Sequence, residues 1–330
     1  MSKSFPRGGW RGLLALVLLG GMLSVPGTAG AAAKPYVESE APRGFHLFLR
    51  PRMKAPDAQW KYVQDLDRDG KTRAAAKQAL ALRIWWPDSP EAPQAQMLHA
   101  RLLDRRGHLE EAFDAYQHLV EQYPGRFEFN AVLERQLQIA KTLMAQKKGR
   151  FFIFPGFDAP ARAIPLFEKI IASAPEWHGT AEAFYLTGVA NERIYEYDLA
   201  IDAYFNALNR FPDSAFAEKA AYAQTQCHIQ ISEDSPNDSR ALDTARAACI
   251  LFLQRFPDSD RRAGIEADLA RIRGRQAGNA LARARYYDRI LKKPAAALIE
   301  YQSFVALFPD DERVSEARAR IAQLKPNPEN

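Results

Sequence analysis

The pentapeptide RFPDS stands at Arg210–Ser214 and returns unchanged at Arg255–Ser259. Looser versions fill the same slot elsewhere: WWPDS from Trp85, QYPGR from Gln122, SAPEW from Ser173 and LFPDD from Leu307. Aligned on the proline, the six copies share more than the motif. Twelve residues before Pro87, Pro124, Pro175, Pro212, Pro257 and Pro309 stand Ala75, Ala112, Ala163, Ala200, Ala245 and Ala297. Eight before, four copies carry an aromatic residue: Tyr116, Phe167, Tyr204 and Tyr301. The residue before the proline is aromatic in five: Trp86, Tyr123, Phe211, Phe256 and Phe308. These offsets place the matched residues on one face of a helix that the proline ends, because proline lacks an N–H and disfavours helical geometry in its predecessor. The Asp-Ser that follows is expected to cap the next helix by accepting its first free N–H groups.

The proline-to-proline distances are 37, 51, 37, 45 and 52, a unit of 37 residues with insertions. That length and pattern resemble the tetratricopeptide repeat, which is two antiparallel helices per unit. The small residue expected inside the first helix falls twenty-four before the proline, at Ala100 in one unit and Gly188 in another. The expected fold is all-α, a tetratricopeptide-like solenoid of about five to six antiparallel helix pairs. Composition agrees: 47% hydrophobic and 26% charged residues describe an ordinary globular chain. Apolar positions follow a helical period almost throughout, with no strand-like alternation.

The N-terminus reads differently. Lys3, Arg7 and Arg11 precede the apolar GLLALVLLGGML, and AAA follows at 31–33. This describes a signal peptide over residues 1–33 and export of the mature chain. Its loss removes three basic groups, so the net charge of +5 becomes +2 and a nucleic-acid partner gains little support. The Pro- and charge-rich residues 34–59 read as an extended linker, with Trp60 to Leu66 a short helical entry. The repeat domain is expected over residues 60–325, and residues 326–330 as a disordered tail.

Motifs for chemistry are scarce. Asp65, Asp67, Asp69 and Gly70 are spaced like the start of a calcium loop, but the twelfth position, which should be a bidentate Glu, is Ala76. An acidic turn is the better reading. His99, His108 and His118 do not converge on one metal, and neither a phosphate loop nor a nucleophile elbow occurs. No cofactor or metal is implied, and the expectation is a protein that is not an enzyme. Cys227 and Cys249 flank the loop SEDSPND on two helices of one hairpin. They are candidates for a disulfide in an exported chain, or two small buried apolar side chains.

The C-terminal half resembles BamD, the D subunit of the β-barrel assembly machine. The resemblance rests on Phe256–Ser259, Arg271–Ile272, the basic Arg273 and Arg275, and Ala284 with Tyr286 and Tyr287. It covers roughly residues 72 to 322. It implies a periplasmic scaffold at the inner face of the outer membrane, held there through partners: the outer-membrane β-barrel insertase, other machine subunits and unfolded barrel precursors. It also makes Tyr286, Tyr287 and Arg289 candidate partner-binding residues. Two departures stand out. Met22 occupies the place of the family's lipid-bearing cysteine, and Ile299–Glu300 replaces an Asn-Arg pair associated with docking. The missing cysteine suits an alternative, an adaptor for Tol–Pal or cell-division coordination.

One stretch escapes the repeat. The insertion GRFFIFPGFDAP at 149–160 supplies most of the excess in the 51-residue unit. Phe151, Phe152, Phe154 and Phe157 are expected either to fold back into the core or to form an aromatic edge for an apolar client segment.

Overall fold

The computed structural model describes residues 49–146, 159–236 and 238–325. The expected leader, the tail, the four phenylalanines of the insertion and residues 34–48 of the expected linker lie outside them. Among the described residues the chain forms thirteen α-helices. Six pairs follow in order: α1 (Pro56–Arg68) with α2 (Thr72–Trp85), α3 (Ala92–Arg105) with α4 (Leu109–Gln122), and α5 (Phe129–Ala145) with α6 (Ala159–Ser173). Then come α7 (Thr180–Arg193) with α8 (Tyr197–Arg210), α9 (Ala217–Asp234) with α10 (Ser239–Arg255), and α11 (Arg262–Arg285) with α12 (Pro294–Leu307). A final α13 (Val314–Leu324) covers the last pair. Each helix packs on the next in chain order, so every repeat rests on its neighbours alone.

The register read from the sequence is the register of the core. The six alanines twelve before the proline are all fully buried, on the even-numbered helices. The position eight before holds Ala79, Tyr116, Phe167, Tyr204, Cys249 and Tyr301, all buried. Each large ring there removes apolar surface worth about 1.5–3 kcal/mol from water. Gly188 of α7 meets Tyr204 of α8 so closely that an added Cβ would lie 2.4 Å from the ring. Only hydrogen fits there.

The proline stops are alike in backbone as well as sequence. Trp86, Tyr123, Phe211, Phe256 and Phe308 share φ between −127° and −135° and ψ between 47° and 66°. The carbonyl of the residue before the proline then accepts from the N–H two beyond it in all six copies, at 3.1–3.3 Å. In five, a second turn follows directly. This corrects the expected cap. The oxygens of Ser214, Ser259 and Asp311 accept from the backbone N–H of Phe216, Arg261 and Arg313. Those three residues are the N-caps themselves, so the Asp-Ser chemistry closes the turn before the helix rather than its first turn.

The opposite turns, within a pair, have their own rule. Gly70, Gly107, Tyr195 and Lys292 all take positive φ (73°, 77°, 66° and 50°), and each lies seventeen residues before its repeat's proline. Glycine adopts this geometry freely; tyrosine and lysine do so at a cost of order 1 kcal/mol or more. After the first three, the next N–H reaches back five residues to close a helix C-cap: Lys71 to Leu66, His108 to Leu103, Glu196 to Asn191. The fourth is enlarged by a π-turn over Tyr286–Ile290, so Lys293 reaches back six residues, to Tyr287.

The helical entry begins at Pro56, four residues before the expected Trp60. Proline suits a first helical position, where no N–H is needed. The segment before it is docked, since the buried Gln59 accepts from the N–H groups of Arg52 and Met53 at 3.0 and 2.9 Å. Gln59 also donates to Gln78 at 2.9 Å, and Trp85 Nε1 donates to Leu49 O at 2.8 Å. The acidic DLDRDG run is the end of α1 and its turn. Asp65, Asp67 and Asp69 pair with Arg68, Arg105 and Lys71 at 2.8, 2.8 and 3.0 Å.

Candidate functional site

Even-numbered helices carry the most conspicuous exposed apolar side chains. Phe205 of α8 and Leu251 of α10 are 55% and 64% exposed. They flank a groove of about 510 Å³ whose floor is α9, through Ala221, Thr225 and His228. Leu208 and Phe252, both buried, close its walls. Arg255 reaches the Leu208 carbonyl at 3.3 Å and is the only formally charged lining residue. The His228 imidazole is held below its ordinary pKa by burial, partly offset by Asp198, so it is neutral at pH 7. Gln224, His228 and Gln254 make no hydrogen bond within the described residues, although Thr225 and Thr244 are satisfied by helix carbonyls. The result is an apolar slot edged by free neutral donors and acceptors. An extended polypeptide offers the matching set of apolar side chains and unpaired backbone groups.

A second opening, also about 510 Å³, lies on odd-numbered helices between α5 and α7. Two of its lining charges are paired outside it, Arg135 with Asp104 at 2.5 and 2.6 Å and Glu182 with Lys141 at 2.5 Å, and its Glu134 lies 3.9 Å from His178. Trp177 lines it while its buried Nε1–H has no acceptor among the described residues.

The three expected C-terminal residues divide. Tyr287 packs on the last core cluster, whereas Tyr286 is 51% exposed and Arg289 is exposed and forms no ion pair among the described residues. Between them Asp288, its side chain 5% exposed, binds Arg320 through both oxygens at 2.7 Å and accepts from Tyr301 at 3.2 Å. The Arg320 guanidinium holds its carboxyl below the usual range. Of the departure pair, Ile299 is 65% exposed, and Glu300 is bound to Arg283 at 2.7 Å.

Cys227 and Cys249 are buried and unbridged. They share one core cluster but face different neighbours. The charge felt by Cys227 is Glu192 of α7, and those felt by Cys249 are Asp268 and Arg271 of α11. Burial pushes the thiols up to about 12 and about 11. Of the two sequence readings, the structure has the pair of small buried side chains.

Phe205 and Leu251 were missed by motif reasoning, though the repeat alignment holds a signal for Leu251. Seven before the proline, where Phe205 stands, the other copies have Leu80, Gln117, Glu168, Ile250 and Gln302, a mixed slot in which Phe205 does not stand out. Six before, where Leu251 stands, the others have Ala81, His118, Lys169, Asn206 and Ser303. Leu251 is the one large aliphatic residue at its position.

Residues 94–125 match the family model described as tetratricopeptide repeat. They run from inside α3 through α4 to just past the next proline, most of the unit that recurs along the chain. The chain is a tetratricopeptide-repeat-like array. Solved structures of similar type include MamA, 18% identical with a TM-score of 0.34, covering 69% of this chain and 96% of its own. A tetratricopeptide repeat protein from Parabacteroides merdae is 13% identical with a TM-score of 0.30, covering 81% of this chain and 98% of its own. PilW, described as a type IV pilus biogenesis factor, is 13% identical with a TM-score of 0.29, covering 81% and 99%. No curated protein matches. Such arrays are protein-binding scaffolds, and nothing in these likenesses singles out BamD.

Proposed function

We propose that this protein is a non-catalytic periplasmic scaffold, exported by a cleaved leader, that binds unfolded outer-membrane barrel precursors and the insertase that receives them. The observation that carries the reading is the groove between Phe205 and Leu251, apolar in its walls and neutral at its edges. Precursor strands alternate apolar and polar residues and arrive with their backbone unpaired. Such a segment would place side chains against Phe205, Leu208 and Leu251, and backbone groups against Gln224 and Gln254. The resemblance of residues 256–287 to BamD supports the same partner class.

The test replaces Phe205 and Leu251 together by serine. Both are exposed, so stability should stay within about 0.5 kcal/mol per site. Capture of a urea-denatured barrel precursor, read by fluorescence anisotropy, should weaken by about tenfold or more, since each buried apolar side chain is worth about 1.5–3 kcal/mol. Unchanged capture by a folded variant would remove the groove from the reading. Cross-linking in native envelopes that recovers Tol–Pal or division proteins instead of the insertase would move the scaffold to that machine, which the absent lipid-bearing cysteine suits.

A further inference from the structure

The last within-pair turn differs from the others in three ways at once. It is enlarged by the π-turn at Tyr286–Ile290. Lys292, not glycine, occupies the left-handed position. And from Arg289 to Ala295 every residue is exposed, including Ile290 at 67% and Leu291 at 39%. Arg289, Lys292 and Lys293 form no ion pair among the described residues; Arg289 acts on Asp288 through space only, and that carboxylate is bound to Arg320 through both oxygens. Three cations without an ion pair thus flank two exposed branched aliphatic side chains on one exposed turn.

We propose that the turn Tyr286–Lys293 is a membrane-contact site, which lays Ile290 and Leu291 into an anionic phospholipid surface while Arg289, Lys292 and Lys293 meet its phosphates. The chemistry fits a lipid interface better than an acidic protein. The turn lines neither of the two grooves described above, and headgroups and acyl chains adapt to an exposed turn without needing a matching cleft. The long lysine stems can cover the acyl boundary while their ammonium groups stay at phosphate depth. Two backbone N–H groups of the turn are already paired and need no water: Leu291 N–H reaches Tyr286 O at 3.0 Å, and Lys293 N–H reaches Tyr287 O at 2.9 Å. The inference does not rest on the client groove, which lies on other helices.

The experiment labels the full chain at residue 290 through Ile290→Cys with an environment-sensitive thiol probe. Cys227 and Cys249 are buried and stay unlabelled. Vesicles of phosphatidylcholine and phosphatidylglycerol (3:1) carrying brominated acyl chains should quench this probe, and pure phosphatidylcholine should quench it far less. A probe at Lys77→Cys, exposed on the first pair, is the control and should not be quenched. Because quenching reports position, binding through any other segment does not imitate it. Neutralising Arg289, Lys292 and Lys293 to glutamine should reduce quenching-derived binding by about a hundredfold, near a factor of five per cation. Absent quenching with the chain vesicle-bound overturns the proposal. So does protection of the probe by an acidic polypeptide with no quenching by lipid, which would make the turn a protein-docking site.

Discussion

Gly188→Ala, ordinarily a stabilising change inside a helix, should here be destabilising. Replacing a mid-helix glycine by alanine gains about 1 kcal/mol through backbone entropy alone. At Gly188 the new methyl would sit 2.4 and 2.5 Å from Tyr204 Cε1 and Cδ1. That ring is fully buried and has nowhere to swing, and its hydroxyl is tied to Glu192 at 2.7 Å. Overpacking costs about 1–3 kcal/mol. Shifting the ring also pulls the hydroxyl from its acceptor, which adds about 1–3 kcal/mol. Against the gain of about 1, the balance is a loss of about 1–5 kcal/mol. Gly274 of α11 is the control, because a Cβ there meets nothing within 4 Å. Thermal melts followed by circular dichroism should show Gly274→Ala rising by about 2–4 °C and Gly188→Ala falling by at least about 2 °C. The double variant Gly188→Ala with Tyr204→Leu should be less unstable than the sum of the two single changes, since leucine vacates the ring's edge. A rise in melting temperature for Gly188→Ala, or strict additivity in the double variant, would refute the account.

Neither cysteine should react with a thiol reagent in the folded protein, and two should titrate after denaturation. Because the folded thiols sit at about 12 and about 11, unfolding free energy should fall as pH climbs above the ordinary thiol range of about 8.5, and a Cys227→Ala/Cys249→Ala variant should lose that slope. Asp288, held below the usual carboxylate range by Arg320, contributes fully at neutral pH. Its contribution should fade as pH falls below about 4, so Asp288→Asn should be less stable at pH 7 and show a flatter acid limb in urea titrations.

The sequence disclosed the buried alanine face because a fixed distance to a helix-stopping proline is a one-dimensional trace of a repeated contact. Gly188 was visible for the same reason. The cap was misplaced by about two residues because Asp-Ser can serve a turn or a helix start with the same oxygen. The hairpin around SEDSPND puts Cys227 and Cys249 at similar heights, yet helical phase, which spacing alone leaves open, turns them toward different neighbours. Gly70 and Gly107 announced the left-handed turns, while Tyr195 and Lys292 hid theirs by lacking the residue that usually marks them. The groove was the least legible part. Phe205 and Leu251 come from different repeats, and only Leu251 stands out against its counterparts.

The two kinds of turn also set where this chain can change length. All the variation in unit size falls between the proline of one unit and the Ala twelve before the next, within the odd helix and the turn after it. The stretch from that alanine to the proline never varies, and the tight turns beyond the proline keep one length, five residues from proline to helix start. A residue added beyond a proline would break the turn hydrogen bonds that seat the next helix on the one before it. Residues added at the other turn cost only loop entropy, about 0.6 kcal/mol for each doubling. The molecule therefore has one side that keeps time and one that is free to improvise, and new binding loops can be grafted on the second without retuning the stack.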